Sequence, residues 1–357
     1  MSKIYILNPY GTVGGGSISQ FGLNKSLDGT GIFEEVVICN IFSRKERLKS
    51  IIAIIFKLNS KNSDYLIMQG LFELEYILFD LLLKKNKLII IPRGAYIPTS
   101  NASKIVKKST LKRLLWRLFI KNRINSAALW VTTSSLEQSR LLQVGANKIN
   151  AAIIPDFFNG NERFIIKNVK TNDYKLENYF LFVGRISIEK NIIFLLELFY
   201  KLSTKFENYK LVILGPVDDV LYFNKVKQRI TELGIDDKIV FKFKSTQSEL
   251  ISYYNNSKLI MLPSYIESLG LIVLEAIFLK KYIFISENVP FDLNGTSLGE
   301  TLKLDEILWF DRISNFIINN NHTINIEMRN QILNDYNFEK VKLLWKDNFS
   351  RLLNLKF

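Results

Sequence analysis

Two doubly wound α/β domains facing across a cleft are predicted by three observations. They are a length of 357 residues, short apolar runs that alternate with helical patterns, and a restart of that alternation after one polar stretch. A chain this long outgrows a single core, because one hydrophobic interior seldom extends past ~250–300 residues. Short all-apolar strands separated by helices imply a parallel sheet covered on both faces. Apolar residues make up 48% and charged residues 23%, which excludes a disordered or fibrous chain. One Cys and one His (His322) exclude a disulfide scaffold and a Cys- or His-built metal cage.

The elements follow in chain order. Lys3–Leu7 reads as a strand running into a Gly-rich turn, with a helix over Ser17–Ser26. Val36–Asn40, Tyr65–Gln69, Leu88–Pro92 and Leu129–Thr133 are the next strands, and 73–86, 108–124 and 135–143 carry helical spacing. Ala152–Pro155 closes this half, and the Asn- and Lys-rich stretch 159–179 reads as a linker. The second half places strands at Phe180–Val183, Lys210–Leu214, Ile239–Phe241, Leu259–Leu262 and Tyr282–Ser286. Helices at 190–206, 219–233, 247–255 and 270–279 fall between them. A final amphipathic helix, 338–357, carries Val341, Leu344, Trp345, Phe349 and Leu352 on one face. The domains are thus expected at 1–165, completed by 338–357, and at 166–337.

The net charge of +14 calls for an anionic partner. Residues 1–165 hold 23 Lys and Arg against 11 Asp and Glu, whereas 166–357 are nearly balanced at 25 against 23. The densest run, Lys104 to Arg123, has eight basic residues and no acid. On a helix, Leu111, Leu114, Leu115, Leu118 and Phe119 would form a core-facing stripe, with Lys104, Lys108, Arg113, Arg117 and Lys121 pointing elsewhere, and Lys107, Lys108, Lys112, Arg113, Trp116 and Arg117 would make up a membrane-facing patch. The basic face is either simply solvated or meets anionic lipid, with Trp116 suited to a headgroup zone. Nucleic acid is not expected, since no zinc-finger spacing, ribonucleoprotein motif or helix-turn-helix pattern is present. The first residues do not read as a secretory leader, and the apolar runs are too short to span a bilayer, so a cytoplasmic chain, peripheral on the inner membrane face, is expected.

Four segments could carry chemistry. In NPYGTVGGG, Gly14, Gly15 and Gly16 strip away side chains so that backbone N–H groups could approach a phosphate or sugar, although a plain tight turn needs the same residues. In FVGRISIEKN, Gly184 ends a strand while Arg185 and Lys190 bracket the turn, either gripping a diphosphate or pairing with a nearby acid. In PSYIESLGLIVLEA, Glu267 and Glu275 are eight residues apart, and Ser268, Leu269 and Gly270 would offer N–H groups at a helix start. Carboxylates there suit sugar or ribose hydroxyls, or else cap backbone groups. In IIIPRGAYIP, a strand delivers Arg93, Gly94 and Tyr96 toward an acceptor pocket, or the arginine pairs with a carboxylate.

These motifs together resemble family 4 of the retaining glycosyltransferases, of the GT-B fold. The resemblance rests on Gly184-Arg185 with Lys190, on Gly215-Pro216, and on Pro263-Ser264 through Glu267, Gly270, Glu275 and Ala276; Pro92-Arg93-Gly94 resembles a bacterial subgroup. It implies that Arg185 and Lys190 bind the donor diphosphate, Glu267 the transferred sugar and Glu275 the ribose. Gly14, Gly15, Gly16, Gly184, Gly215, Pro216, Ser268, Leu269 and Gly270 would complete the donor site. Arg93, Arg185, Lys190 and Glu267 would be catalytic, and Arg93, Gly94 and Tyr96 would meet the acceptor. Three departures stand out. Arg93 holds the place where many relatives have His, Pro155-Asp156-Phe157-Phe158-Asn159 replaces Pro-Asn-Gly-Val-Asp, and Asn191 follows Lys190 where Gly is usual.

The resemblance implies transfer of a hexose or N-acetylhexosamine from a nucleoside-diphosphate sugar to a glycan or lipid-linked hydroxyl in bacterial capsule or O-antigen synthesis. No metal or other cofactor is expected. A sugar-nucleotide epimerase or hydrolase of the same fold, and a non-catalytic nucleotide-sugar-binding subunit, are the alternatives. The oligomeric state has no sequence signal.

Overall fold

The computed structural model describes residues 3–8, 23–33, 35–40, 44–60, 64–71, 76, 82–83, 87–94, 114–164, 178–319 and 323–354. The chain divides into two compact units, Met1–Phe158 with Tyr336–Phe357, and Asn159–Asp335. Gly14, Gly15, Gly16, Tyr96, Lys107, Lys108, Lys112, Arg113 and His322 lie outside the described residues, as does most of the expected helix 73–86.

The first unit contains strands β1 (Lys3–Asn8), β2 (Glu35–Asn40), β3 (Tyr65–Gln69), β4 (Leu88–Ile91), β5 (Leu129–Thr132) and β6 (Ala151–Ile153). All pair in parallel, in the order β2-β1-β3-β4-β5-β6. The middle strands β3, β4 and β5 are buried along their whole length, which explains their unbroken apolar sequences. Among the described residues its helices include α1 (Arg44–Ser60), α2 (Lys121–Ser126) and α3 (Ser135–Gln143), and residues 23–28 are helical as well. The chain leaves this unit after Phe158 and returns at Tyr336, whose carbonyl accepts the Phe158 N–H at 2.7 Å.

In the second unit the helices are α4 (Gly160–Arg163), α5 (Ile192–Lys205), α6 (Val220–Leu233), α7 (Gln247–Asn256), α8 (Leu271–Phe278), α9 (Glu306–Asn319) and α10 (Ile326–Asp335). Strands β7 (Tyr179–Val183), β8 (Lys210–Leu214), β9 (Ile239–Lys242), β10 (Leu259–Leu262), β11 (Ile283–Ser286) and β12 (Gly299–Leu302) form a parallel sheet ordered β12-β11-β10-β7-β8-β9. β12, α9 and α10 occupy a stretch to which the sequence reading assigned no element; in Gly-Glu-Thr-Leu the two central residues are half-buried, so no apolar run marks the strand. The first residues of the expected linker belong to the second unit. Residues 159–164 fold onto the second unit, with Asn159 capping α4 through the Glu162 N–H at 3.2 Å.

Helix α11 (Phe338–Asn354) returns to the first unit. It buries Val341, Trp345, Phe349 and Leu352 among Ile4, Ile6, Tyr65 and Ile67 of the sheet, with Phe349 edge-on to Phe33 at 4.7 Å. Apolar side chains spaced three and four apart land on one face, as the sequence predicts.

The basic helix departs from expectation. Among the described residues it holds a π-helical turn, Trp116–Ile120, before continuing as α2. Trp116, Ile120, Arg123 and Ile124 form the buried face, whereas Leu115 and Phe119 of the expected stripe are only half-buried. Leu114 is 51% and Leu118 58% exposed. Trp116 is buried with its indole N–H on the Val144 carbonyl at 3.1 Å, which removes it from any headgroup role. Arg123, counted with the basic residues, is fully buried over the Tyr76 ring and donates to the Leu71 carbonyl at 3.1 Å. No helix among the described residues is long and apolar enough to cross a membrane.

Two local constraints hold strand ends in place. Gly215 follows β8 at φ +144°, and a Cβ there would lie 2.0 Å from the Gly184 carbonyl oxygen that follows β7. In the first unit, Ser134 caps α3 by accepting the Glu137 N–H, while the Glu137 carboxylate accepts from the Gly94 N–H at 2.6 Å and the Thr133 N–H at 2.8 Å. Burial raises the Glu137 pKa above the ordinary carboxylate range, opposed in part by those N–H donors and by Arg93.

Gly215→Ala is expected to destabilise the fold by about 1–3 kcal/mol or more, since backbone and not a flexible side chain must yield; an unchanged urea midpoint contradicts the close approach. Glu137→Gln cannot accept from both Gly94 and Thr133, and a cost of about 1–3 kcal/mol is expected. With a raised folded pKa, the native chain keeps a proton that the unfolded chain has already lost. Wild-type stability from this group therefore declines as pH rises through that raised value. The penalty of Glu137→Gln should be largest in mildly acid urea melts and smaller at neutral pH, and a penalty that grows with pH contradicts the assignment.

Candidate functional site

Strands β7 and β10 lie side by side, yet the chain between them passes through β8 and β9. This is where the strand order reverses, and in open parallel sheets ligands collect beyond the carboxyl ends of such strands. Gly184, Arg185 and Lys190 follow β7, while Ser264, Glu267 and Gly270 follow β10, so two of the sequence motifs meet here.

The loop after β7 runs beside the loop after β8: Ile186 donates to the Pro216 carbonyl at 2.8 Å and bridges Val217. That pairing turns Arg185 outward, where its guanidinium forms an exposed ion pair with Asp218. A short 3-10 turn, Ile188–Lys190, then ends at Asn191 in the left-handed region, φ +55°, where α5 starts. The turn aims Lys190 at the second loop, and its ammonium pairs with Glu267 in a nearly buried contact. Ser264 donates its hydroxyl to the same Glu267 oxygen at 2.9 Å, and the Tyr265 N–H donates to the Glu189 carbonyl at 2.8 Å. The two loops are therefore bonded through side chain and backbone.

Gly270, at φ +81°, starts α8, a conformation that L side chains rarely adopt. Leu269 is buried beside it. One turn into α8, Glu275 is only 2% exposed; it accepts the Tyr254 hydroxyl at 2.7 Å on one oxygen and pairs with Arg163 on the other. Burial and the neighbouring Glu275 hold the Tyr254 phenol protonated, well above its ordinary pKa.

In the first unit, Arg93 follows β4 in the left-handed region at φ +55°, next to Gly94 at +71°. An arginine in this conformation costs on the order of 1 kcal/mol, which the surroundings must supply. Its guanidinium pairs with Asp156 and donates to Gln69 at 3.2 Å, while Glu137 holds the next N–H. A small cavity is lined there by Ser26, Arg93, Thr133, Asp156 and Trp345.

Sequence reasoning named Arg93, Arg185, Lys190, Glu267 and Glu275 but missed their partners Asp156, Asp218, Ser264, Arg163 and Tyr254. Most lie far away in the chain: Arg163 is 112 residues from Glu275 and Asp156 is 63 from Arg93. Asp218, three residues past Gly215, and Ser134-x-x-Glu137, a capping pattern, were readable locally. Among the described residues, no group of three or more His, Cys, Asp or Glu could hold a metal ion.

Residues 164–291 match the family described as "Glycosyl transferases group 1". A lipopolysaccharide 1,2-N-acetylglucosaminetransferase of Salmonella typhimurium is 28% identical over 141 residues, 36% of this chain and 36% of that protein. The matched parts span about a third of the length of the curated relatives. Sucrose-phosphate synthase of Thermosynechococcus elongatus superposes with a TM-score of 0.74 at 16% identity, over 99% of this chain and all of that one. Anabaena HepE in complex with UDP-glucose gives 0.71 at 14% identity, over 98% and 99%. The chain has the GT-B fold, and its second unit carries the sequence pattern of the group 1 glycosyl transferases.

Proposed function

We propose that this chain is a retaining glycosyltransferase of the family 4 type. It moves a hexose or N-acetylhexosamine from a nucleoside-diphosphate sugar to a hydroxyl of a glycan or lipid-linked acceptor in bacterial surface-polysaccharide synthesis. The observation that carries the reading is the contact of Lys190 with Glu267 beyond β7 and β10, where the strand order reverses, inside the region that matches the family. The relatives support the sugar chemistry: one is named for N-acetylglucosamine transfer to lipopolysaccharide, and another was solved with UDP-glucose.

In this reading the bond from the anomeric carbon to the diphosphate oxygen breaks while the acceptor oxygen bonds to the same carbon on the same face. The acceptor proton passes to the departing diphosphate. Lys190 and Arg185 stabilise the charge that grows on the diphosphate, and backbone N–H groups at Ser268, Leu269 and Gly270 add to them. Both cations already face carboxylates, Glu267 and Asp218, so the diphosphate shares or displaces those contacts. Glu267 receives sugar hydroxyls, and Glu275 receives the ribose. Gly14, Gly15 and Gly16 serve the donor, while Arg93, Gly94 and Tyr96 meet the acceptor, which the first unit takes. Arg93 serves there as a fixed donor, since Asp156 neutralises it. The basic run with Lys107, Lys108, Lys112, Arg113 and Arg117 rests on an anionic membrane face, and the exposed Leu114 and Leu118 enter its surface layer.

With UDP-glucose or UDP-N-acetylglucosamine and a cell-envelope acceptor fraction, Arg185→Ala and Lys190→Ala are each expected to lower kcat/KM by about 10²–10³-fold. Turnover near wild type in both variants overturns the donor-site assignment. In flotation with anionic vesicles, binding should fall with salt and be lost when Lys107, Lys108, Lys112 and Arg113 are neutralised together. Unchanged flotation removes that run from the account.

A further inference from the structure

Glu275 is a carboxylate in the middle of an apolar helix, and its surroundings are more specific than charge compensation requires. Arg163 meets one oxygen and the Tyr254 hydroxyl, at 2.7 Å, meets the other. A carboxylate has about four acceptor positions, two on each oxygen. One donor on each side therefore fixes its plane and leaves each oxygen one further position. A vicinal diol, with two neighbouring hydroxyls, matches that remaining pair.

Arg163 is itself held firmly. It ends α4, whose Gly160 lies so close to Phe278 that a Cβ would come within 2.2 Å of the ring. Phe164 stacks on the same ring at 5.6 Å with an interplanar angle of 20°, and the Arg163 guanidinium lies 5.7 Å from the Phe164 centroid. On the other flank of α8, Arg329 donates to the Ile277 and Phe278 carbonyls at 3.0 and 2.7 Å. The end of α8 is thus clamped, and Arg163 reaches back about one turn to Glu275. Tyr254 has no lasting alternative to donating, because burial keeps its phenol protonated.

We infer that Arg163 is a positioning residue for the donor site: it orients the Glu275 carboxylate so that both oxygens receive the ribose hydroxyls of the nucleotide. The inference rests on the donor-site reading above and adds to it a residue outside the sequence motifs that carry it. Arg163 does not touch the reacting atoms. Its effect should fall on recognition of the ribose, and hence on KM for the donor, with kcat less affected.

The test is calorimetric titration of matched ribose and 2′-deoxyribose diphosphates: UDP with dUDP, GDP with dGDP, ADP with dADP. Wild type should prefer the ribose member of its pair by about 10–100-fold, the value of a hydrogen bond to a charged acceptor. Arg163→Met should bring that ratio close to one, Arg163→Lys should restore part of it, and Glu275→Gln should abolish it, with the Arg163→Met/Glu275→Gln double variant no worse than Glu275→Gln. A purely structural Arg163 would lower the melting temperature of Arg163→Met and leave the ratio intact, which overturns the inference. If Glu275→Gln also keeps the ratio, the ribose assignment of Glu275 itself falls. Absence of binding by all three pairs to wild type overturns the donor-site reading and this inference with it.

Discussion

The parallel pairing of β7 with β10, Phe180 beside Leu259, is the constraint on which the second unit's site depends. It sets the Gly184–Lys190 loop next to the Ser264–Gly270 loop, although almost eighty residues separate the two strands in the chain. Right-handed crossovers leave this one position where successive connections depart to opposite sides. Once the strands are adjacent, side chains can join the loops: Ser264 and Glu267 on one, Lys190 on the other. Gly215 serves the same geometry from β8, since only a residue without Cβ lets the Gly184 carbonyl approach.

Charge pairing is the second organising feature. The principal cations of both motif regions face acids: Lys190 faces Glu267, Arg185 faces Asp218, Arg163 faces Glu275 and Arg93 faces Asp156. Three of the four pairs are largely withdrawn from water, where an unpaired charge would be far more costly than at the surface. Arg185 and Asp218 are the exposed exception, and such a pair adds little stability, which leaves Arg185 at small cost to meet an anion. An anionic ligand at the β7–β10 loops, as proposed, would therefore exchange contacts with carboxylates instead of filling a bare cationic hole. A site of this kind discriminates by geometry more than by charge.

Much of the fold was legible. Strands such as Tyr65–Gln69, Lys210–Leu214 and Leu259–Leu262 are apolar runs of the right length, and the structure keeps their bounds. Ser135–Gln143 was legible as a helix because its turn residues and spacing agree. β12 was not, as its central residues are half-buried and carry no alternation. The basic helix misled for another reason: its 3.6-residue spacing fits a face of Leu114 and Leu118 and equally one of Trp116, Ile120 and Ile124, and packing buries the second, so Leu114 and Leu118 are exposed and Trp116 is buried.

By itself the sequence determined the alternation of elements, the positions of the Gly184-Arg185, Gly215-Pro216 and Glu267–Glu275 motifs, and the concentration of positive charge in the first 165 residues. These are local or additive properties, readable from spacing and composition. Only the tertiary structure decided which acid answers each base, and that the expected linker begins with a helix whose Arg163 reaches Glu275. The physical reason is that partners 33 to 112 residues apart are chosen by sheet order and close packing, and neither leaves a periodic trace in the chain.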